Sequence, residues 1–342
     1  AEHFYVVTEP LKEATSDLPV LRDTDGHVYI KEDAGKFLVG AFEPWGKAIS
    51  IEKLPKNVPF IELPEDWDHF ELPYSKAMEL LDPLSEVGIS KFFNGPESFT
   101  PDLLFALGEV PGIQNCYISA GYNSEGIEFG PGAGRALAEW VIEGEPSMDL
   151  WPVDIRRFAK VQNSIRTLRE RSSETLSLHY AVSFPGRQYK TARNLRLSPL
   201  HSRLEKAGAV FSAQMGWERP WWFNPEGIST HPELSFEKPG WFFLHAQEHV
   251  AARKSVVLID QSTFGKLIVQ GRDAEKFLQR LCANDISSAH DRVVYTPLLN
   301  NHGGYESDLT IMCLDEDRFL LITGTGQPVR DHNWISRNIK PE

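Results

Sequence analysis

Cysteine is scarce in this chain of 342 residues, which contains three of them. Cys116, Cys282 and Cys313 lie far apart, and their spacing fits neither a disulfide framework nor a zinc-binding pattern. Stabilisation by disulfides or by structural zinc is therefore not expected, and the composition favours a reducing compartment.

Long apolar runs and clusters of basic residues are also missing. No run of membrane-spanning length occurs, and the N-terminus has neither a signal-peptide nor a transit-peptide pattern, so we expect no membrane partner. The 48 Asp and Glu residues outnumber the 35 Lys and Arg residues, giving a net charge of −13, which argues against a nucleic-acid partner. A hydrophobic content of 41% is ordinary for a globular protein, and the length suggests two or three domains.

The first hundred residues have the pattern of an antiparallel sheet. Phe4 to Val7 and Leu18 to Leu21 are predicted strands, and Asp25-Gly26 marks a turn before VYI and KFLVGAF. A helix is predicted from about Asp66 through Leu81. Several strands that follow one another closely in the sequence, without helices between them, suggest a sheet that covers a site.

The stretch from Gly121 to Pro146 is rich in glycine. The pattern predicts a strand ending at Ala120, a tight loop, and a helix starting near Ala133 and ending at Gly144. Free N–H groups at such a helix start can approach a phosphate or an electron-rich ring, although a purely structural turn is an equal alternative. The spacing of GPGAG does not match the dinucleotide fingerprint, and no GxGxxG follows a strand elsewhere. The glycines are Gly121, Gly126, Gly130, Gly132 and Gly134.

The remaining sequence alternates helices and strands. A charged helix is predicted over 165–179, and a short one over 199–207 with Ser198 as its N-cap. The run GWERPWWF is interpreted as a hydrophobic plug between domains rather than a carbohydrate- or base-stacking platform. After Trp241 the pattern predicts a helix, the strand FGKLIVQG, an amphipathic helix and a three-strand meander.

A formal match to the inverted zinc-protease signature HxxEH occurs between His245 and His249. No third ligand or substrate cleft is suggested, and five-residue matches are common by chance. We therefore expect no metal site.

Several motifs in fixed order resemble the sarcosine and dimethylglycine dehydrogenases, a family in which an FAD-dependent amine oxidoreductase is fused to an aminomethyltransferase-like folate domain. EHFYVVTEP and DGHVYI resemble the family's substrate-side sheet. RERS, PLH and GWERP resemble its central domain, and the last meander resembles the start of its folate domain. The flavin-closing motifs read Thr100-Pro101-Asp102, Gly108-Glu109, Gly121-Tyr122-Asn123-Ser124-Glu125-Gly126 and Gly132-Ala133-Gly134, running into Leu137-Ala138-Glu139-Trp140.

The resemblance implies an α+β chain in three parts. Residues 1–146 would be the C-terminal part of a D-amino-acid-oxidase-like FAD and substrate domain. Residues 147–240 would be a central connector domain, and residues 241–342 the start of the folate-binding domain.

The same resemblance implies the site residues. His3 and Tyr29 would face the amine substrate, where His and Tyr can bias a carboxylate-bearing amine toward its neutral form before hydride leaves the methyl carbon. From spacing alone, both residues are more simply surface and core positions. The implied FAD contacts are Gly121, Tyr122, Asn123, Ser124, Gly126 and Ile127.

For the folate domain, the resemblance implies Asp308 as the acid/base beside the folate nitrogen, with Tyr295 and Thr310 as neighbouring contacts. A carboxylate on a half-buried strand would carry a desolvation cost that a cationic intermediate relieves. The rival interpretation is that Asp308 only pairs with a nearby arginine.

The implied reaction is oxidative N-demethylation of sarcosine or dimethylglycine by FAD, with the one-carbon unit passed to tetrahydrofolate. Sarcosine is weakly preferred. An electron-transfer flavoprotein is the expected type of electron acceptor, in the mitochondrial matrix of a eukaryote or the cytoplasm of a bacterium. One alternative is a non-catalytic regulatory subunit resembling that of pyruvate dehydrogenase phosphatase, and another is an inactive fragment.

The sequence departs from the family pattern at both ends. The N-terminal half of the FAD fold, with its flavin-linking His, and most of the folate domain have no counterpart here. The chain begins Ala-Glu-His without an initiator Met. We therefore expect an internal portion of a longer enzyme that alone binds FAD weakly or not at all.

Overall fold

The computed structural model describes residues 1–228, 234–290 and 292–339. The chain divides into two compact units. The first contains Ala1–Leu107, Ser119–Met148 and Asn163–Ala192, and the second contains Gly108–Ile118, Asp149–Gln162 and the residues from Arg193 onward. No helix in these described ranges is both long and apolar enough to cross a membrane.

The first unit is built on a five-stranded antiparallel sheet in which β1 lies between β4 and β5. The first four strands agree broadly with the predicted meander. However, the second strand begins at Leu21 rather than Leu18, because Pro19 has no N–H to donate to a ladder. The strands are β1 (Glu2–Thr8), β2 (Leu21–Asp23), β3 (Val28–Glu32), β4 (Phe37–Ala41) and β5 (Ile89–Pro96), in the order β2-β3-β4-β1-β5.

The two faces of this sheet differ because side chains alternate along each strand. Phe4 and Val6 of β1 are fully buried and pack in one core with Val28, Ile30 and the helix α1 (Trp67–Leu80). The helix is confirmed near its predicted start, where the Asp66 carboxylate accepts the N–H of His69 at 3.2 Å. The opposite, open face of the sheet therefore carries the residues between these buried positions.

The glycine-rich stretch is mostly helical, so the predicted loop is shorter and the helix longer than the sequence analysis expected. After β6 (Ala106–Glu109) and β7 (Tyr117–Ala120), residues 121–125 form the loop, and α2 (Gly126–Glu143) begins seven residues before Ala133. Each helical glycine costs about 1 kcal/mol relative to alanine. The apolar stripe of Ala133, Ala136 and Trp140, which α2 buries, offsets that cost. Gly144 ends the helix at φ 81°, as predicted.

The helix α3 (Ile165–Leu178) also belongs to the first unit and matches the predicted charged helix. Its N-cap is Ser164, whose hydroxyl oxygen accepts the N–H of Thr167 at 3.1 Å. The next two residues, His179 and Tyr180, follow directly after its last turn.

The second unit contains a hairpin of β8 (Ala209–Gln214) and β9 (Trp217–Phe223), so the Trp-rich run is a strand. Met215 and Gly216 have φ values of 50° and 75°, the signature of a two-residue turn that matches the twist of a hairpin. The short helix α4 (His201–Lys206) precedes the hairpin and α5 (Phe242–Lys254) follows it.

The last part of the second unit is a four-stranded antiparallel sheet. It contains the predicted three-strand meander, and β10 pairs with the last of those strands. Its core buries Leu278, Ile311 and Phe319 completely. The elements are β10 (Gly265–Gln270), α6 (Ala274–Leu281), β11 (Val294–Leu299), β12 (Tyr305–Asp315), β13 (Arg318–Thr323) and α7 (Pro328–Arg337), with the strand order β10-β13-β12-β11.

Candidate functional site

The open face of the five-stranded sheet carries a hydrogen-bonded group around His3. Nδ1 of His3 contacts a carboxylate oxygen of Glu97. The hydroxyl of Ser124 donates to the same oxygen at 2.9 Å and lies 3.3 Å from Nδ1. Nε2 of His3 is buried and has no hydrogen-bond partner among the described residues. A buried polar atom without a partner is costly, so this nitrogen is a natural contact for a ligand.

The charge of Glu97 fixes how His3 can act. Burial raises the pKa of Glu97, but the hydrogen bond and charge of His3 and the hydrogen bond from Ser124 outweigh it and hold that pKa below its usual value. Glu97 is therefore ionised at neutral pH. When His3 is in its neutral form, Nδ1–H donates to this carboxylate and Nε2 can accept a hydrogen bond.

Tyr29 lies on the same face of the sheet and is held by close packing. Its Cα is in register with that of Gly40, and a Cβ at position 40 would lie 2.1 Å from Cζ of the Tyr29 ring. The absence of a side chain at Gly40 therefore creates the space that the phenol ring fills. Burial raises the pKa of Tyr29, so its hydroxyl remains protonated and can donate a hydrogen bond.

An aromatic cluster joins these two residues. The ring of Phe42 lies 4.6 Å from the imidazole of His3 and 6.2 Å from the ring of Tyr29. The structure thus brings together the two side chains that the sequence analysis assigned to the amine.

Two further residues of this cluster, His179 and Tyr180, were missed from the sequence. Their rings lie 4.3 and 4.5 Å from that of Phe42. Burial, followed by the charges of Arg22 and His3, lowers the pKa of His179 to about 4, so it is neutral at pH 7. The preceding helix was interpreted only as a solvated face. His179 and Tyr180, two adjacent aromatic residues directly after the helix, were the sequence feature that could have indicated this cluster.

The loop before α2 is held by its own side chains. Asn123 Oδ1 accepts the backbone N–H of Thr100 at 2.8 Å, and Asn123 Nδ2 donates to the carbonyl of Gly121 at 2.9 Å. A Cβ at Gly121 would lie 2.6 Å from Cγ2 of Thr100. Tyr122 stacks on Phe105 at 4.9 Å. These contacts give three of the six predicted flavin positions a role in shaping the loop.

The other three predicted flavin positions are accessible. Ser124, Gly126 and Ile127 are exposed, and Ile127 has 97% of its surface open. Gly126 and Ile127 begin α2, and Ser124 precedes its N-cap; at such a helix start, backbone N–H groups are free of intrahelical partners and attract electron-rich groups. Together with the unpartnered nitrogen of His3, they fit a flavin bound beside the open face of the sheet.

The predicted folate residues also lie together. Tyr295 and Thr310 are in register on β11 and β12, and the Tyr295 hydroxyl donates to Asp308 Oδ2 at 2.8 Å. This hydrogen bond raises the pKa of Tyr295. Two expectations are corrected. Asp308 does not carry the expected desolvation cost, because it is exposed while Leu309 and Ile311 take the core face of β12, and its hydrogen-bond partner is a tyrosine rather than the arginine of the rival interpretation.

The residues of the HxxEH match on α5 make a ring contact and a hydrogen bond within the protein. The rings of His245 and His249 lie 4.7 Å apart, and Glu248 Oε1 accepts the backbone N–H of Phe223 at 2.8 Å. Within the described ranges, no cluster of His, Cys, Asp and Glu has a geometry that could hold a metal ion.

Three family models match the chain in succession. The FAD dependent oxidoreductase model matches residues 1–140, and the FAD dependent oxidoreductase central domain model matches residues 143–198. The GCVT N-terminal domain model matches residues 200–342. These matches confirm the predicted α+β chain in three parts.

Curated relatives match nearly the whole chain. A 4-methylaminobutanoate oxidase (formaldehyde-forming) of Paenarthrobacter nicotinovorans is 44% identical over 94% of this chain and 39% of its own length. The pyruvate dehydrogenase phosphatase regulatory subunit of Mus musculus is 38% identical over 98% of this chain and 39% of its own. Sarcosine dehydrogenase of Mus musculus is 33% identical over 98% and 40%. The chain thus spans about two fifths of the length of these relatives.

Proposed function

The chain belongs to the family of FAD-dependent amine oxidoreductases that includes the sarcosine and dimethylglycine dehydrogenases, and we propose that its protein oxidatively removes a methyl group from a carboxylate-bearing methylamine. The observation that carries the proposal is the buried Nε2 of His3, which has no hydrogen-bond partner in the described part of the chain and lies on the same sheet face as the protonated Tyr29. This pair offers one hydrogen-bond acceptor and one donor to a bound amine.

The residues of this chain prepare the amine for oxidation. Bound FAD would supply the acceptor for the hydride that leaves the N-methyl carbon. His3 accepts a proton from the ammonium group at Nε2, and the ionised Glu97 stabilises the resulting imidazolium through Nδ1. Tyr29 donates a hydrogen bond that orients the substrate, while Phe42 excludes water from the reacting nitrogen.

The second part of the proposal concerns the one-carbon unit. Bound tetrahydrofolate would supply the two nitrogens that take up the iminium carbon as the methylene derivative, while the carbon–nitrogen bond to the substrate breaks and the demethylated amine leaves. Of the two protons that the folate nitrogens lose, one leaves with the amine and Asp308 accepts the other; Tyr295 positions the carboxylate through their hydrogen bond. The first relative described above is named as forming formaldehyde, so release of the carbon as formaldehyde is the competing outcome.

The identity of the amine also belongs to the proposal. Sarcosine and dimethylglycine are the substrates expected from the sequence resemblance, and the name of the bacterial relative adds 4-methylaminobutanoate to the candidates. An electron-transfer flavoprotein remains the proposed acceptor. The mitochondrial matrix of a eukaryote or the cytoplasm of a bacterium remains the proposed location.

A second candidate function is a regulatory subunit, because such a protein is 38% identical to this chain. A regulatory subunit needs no proton acceptor beside a flavin. The hydrogen-bonded group of His3, Glu97 and Ser124 beside Tyr29, in which Nε2 of His3 has no partner among the described residues, therefore favours the enzyme over both this candidate and an inactive fragment.

The test is a comparison of variants in the full-length, flavin-loaded protein. His3→Gln and Tyr29→Phe should each lower kcat for amine oxidation by about 100-fold or more, the usual contribution of a positioned proton acceptor or donor. The matched control is Arg166→Gln, which removes an exposed arginine that pairs with Glu170 on α3. Unchanged rates in both site variants would remove their assigned roles.

A further inference from the structure

Cys313 lies at the rim of the second sheet, outside both sites described above. It belongs to β12, on the strand face that carries Leu309 and Ile311, and it is half-buried at the edge of their core. Its Sγ lies 3.1 Å from Nδ1 of His290, and Nε2 of His290 lies 2.8 Å from a carboxylate oxygen of Glu275. A nucleophile, a base and a carboxylate therefore follow one another in a line of hydrogen bonds.

Separate elements hold the members of this Cys313–His290–Glu275 triad. Glu275 lies in the first turn of α6, and His290 ends the short 3-10 helix Ser287–His290. The ring of His290 stands edge-on to the buried ring of Phe319 at 5.9 Å, and the Cα of Phe319 is in register with that of Cys313. The imidazole is thus held between the sulfur and the carboxylate and against a fixed ring.

The contact with Glu275 decides which nitrogen of His290 faces the thiol as an acceptor. When His290 is neutral, Nε2–H donates to the carboxylate and Nδ1 presents its lone pair to Sγ. The carbonyl oxygen of Asp315 lies 2.9 Å from the same sulfur, so the thiol proton has two acceptors within reach. A base beside a thiol, oriented by a third group, is the arrangement that activates a cysteine nucleophile.

The surroundings of the sulfur make this base necessary. Burial, and then the charges of Asp315 and Glu275, raise the pKa of the Cys313 thiol above its ordinary value. The thiol therefore stays protonated at neutral pH. Because the thiolate is the nucleophile, reaction at Cys313 depends on transfer of its proton to His290.

The rim around Cys313 is acidic, which favours reagents of one charge. The turn after β12 carries the exposed Asp315, Glu316 and Asp317. Arg318, whose Cα is in register with that of Asp315, is the cation of the same turn. With Glu275 on the other side of the sulfur, a cationic reagent is attracted to this rim and an anionic one is repelled.

The triad is open to small reagents, because the side chains of His290 and Glu275 are 39% and 43% exposed. We propose that Cys313 is a modification site that forms a mixed disulfide with small cationic disulfides, with His290 as proton acceptor and Glu275 as its positioning residue. The reaction uses none of the residues assigned to amine oxidation, so it stands or falls independently of the proposed function.

The exchange balances without any further reactant. Nδ1 of His290 takes the thiol proton, and Sγ attacks one sulfur of the disulfide. A new S–S bond to Cys313 forms as the old S–S bond breaks. The departing thiolate then takes the proton back from His290, so Cys313 is oxidised and half of the reagent is reduced to a thiol.

The first experiment compares Cys313 with Cys116, which is exposed, in the full-length, flavin-loaded protein at pH 7. Cystamine is the probe, and mass spectrometry of the peptides that contain each cysteine measures the rates. A free thiol is ionised to roughly a few per cent at this pH, so an effective base should make Cys313 react about tenfold faster than Cys116. Reaction no faster than at Cys116 would overturn the proposal.

The second experiment tests the charge of the reagent. Cystamine is a dication, and 3,3′-dithiodipropionate is a dianion of similar length. The ratio of their rates at Cys313 should exceed the ratio for free N-acetylcysteinamide by about fivefold, the effect of two unit charges about 4 Å apart in water. A ratio equal to or below that of the free thiol would contradict the preference for cations.

Variants separate the base from simple charge effects. His290→Phe keeps a ring beside Phe319 but removes the base, and it should lower the cystamine rate at Cys313 by about tenfold. Glu275→Met and Asp315→Asn each remove a charge that raises the pKa of the thiol. Charge alone would make both variants faster. The triad predicts a faster reaction in Asp315→Asn and a slower one in Glu275→Met.

Cys116 serves as the internal reference in every variant, because its unchanged rate reports an intact protein. An unchanged Cys313 rate in His290→Phe would remove His290 from the reaction. A faster rate in both acid variants would show that Glu275 acts only through its charge, and the triad would then be wrong.

Discussion

At the scale of single residues, the candidate site depends on side chains that are distant in sequence. His3 contacts Glu97 across 94 positions and lies near Ser124 across 121 positions. Neither partner could be predicted from residue patterns, because no local spacing encodes a contact of that length. Family resemblance suggested His3 and Tyr29 as candidates, which stay predictions, and the described contacts were needed to add Glu97 and to show which nitrogen of His3 lacks a partner among the described residues.

Gly40 provides a test of how Tyr29 is positioned. An alanine Cβ at residue 40 would lie 2.1 Å from Cζ and 2.2 Å from the hydroxyl oxygen of Tyr29, so the ring must move. Gly40→Ala should lower kcat/KM for amine oxidation by about 100-fold, because a displacement of about 1 Å in a site can cost that much.

Gly240→Ala is the matched control, since a Cβ there has no heavy atom within 4 Å. It should retain full activity. If Gly40→Ala remains folded and also retains full activity, the position of the Tyr29 ring does not control amine oxidation.

At the scale of secondary-structure elements, local signals predicted some boundaries well. Asp66 and Ser164 cap α1 and α3, and Gly144 ends α2, because these residues supply the hydrogen bonds or the positive φ that helix ends require. The start of α2 was placed seven residues too late. Its glycines suggested a loop, and the buried stripe that stabilises the helix is a tertiary effect.

The junction of α7 and β13 contains a buried acid that makes stability depend on pH. Asp331 is fully buried and accepts a hydrogen bond from Thr323, and burial raises its pKa to about 6. The folded state then binds the proton more tightly than the unfolded state, in which the pKa of the carboxyl has its ordinary value of 3.8. The contribution of Asp331 to the free energy of unfolding is therefore fully present below pH 3.8 and is lost as pH rises through about 6.

Asp331→Asn removes that dependence while keeping an oxygen that can accept from Thr323. The variant should exceed the wild type in free energy of unfolding by about 2 to 3 kcal/mol at pH 7.5, and the difference should vanish near pH 3.5. Denaturant unfolding at the two pH values measures it. A difference that is the same at both pH values would show that Asp331 does not titrate as described.

At the scale of the whole molecule, the order of the three parts was predictable and the division into units was not. The three family models match in the order that the motifs indicated. The compact units nevertheless interleave segments such as Gly108–Ile118 and Asn163–Ala192, because long-range packing rather than sequence order groups them. The proposed domain ranges 1–146, 147–240 and 241–342 stay predictions.

The chain spans about two fifths of the length of its curated relatives, so the central claim concerns the full-length protein. That claim is that the open sheet face of the first unit prepares a carboxylate-bearing methylamine for hydride transfer. The most direct measurement is anaerobic mixing of the flavin-loaded protein with 4-(methylamino)butanoate and with N-methylglycine, followed by flavin absorbance and by detection of the demethylated amine. The account predicts that the flavin is bleached and that one demethylated amine forms for each flavin reduced. A folded, loaded protein whose flavin stays oxidised with every such amine would contradict it.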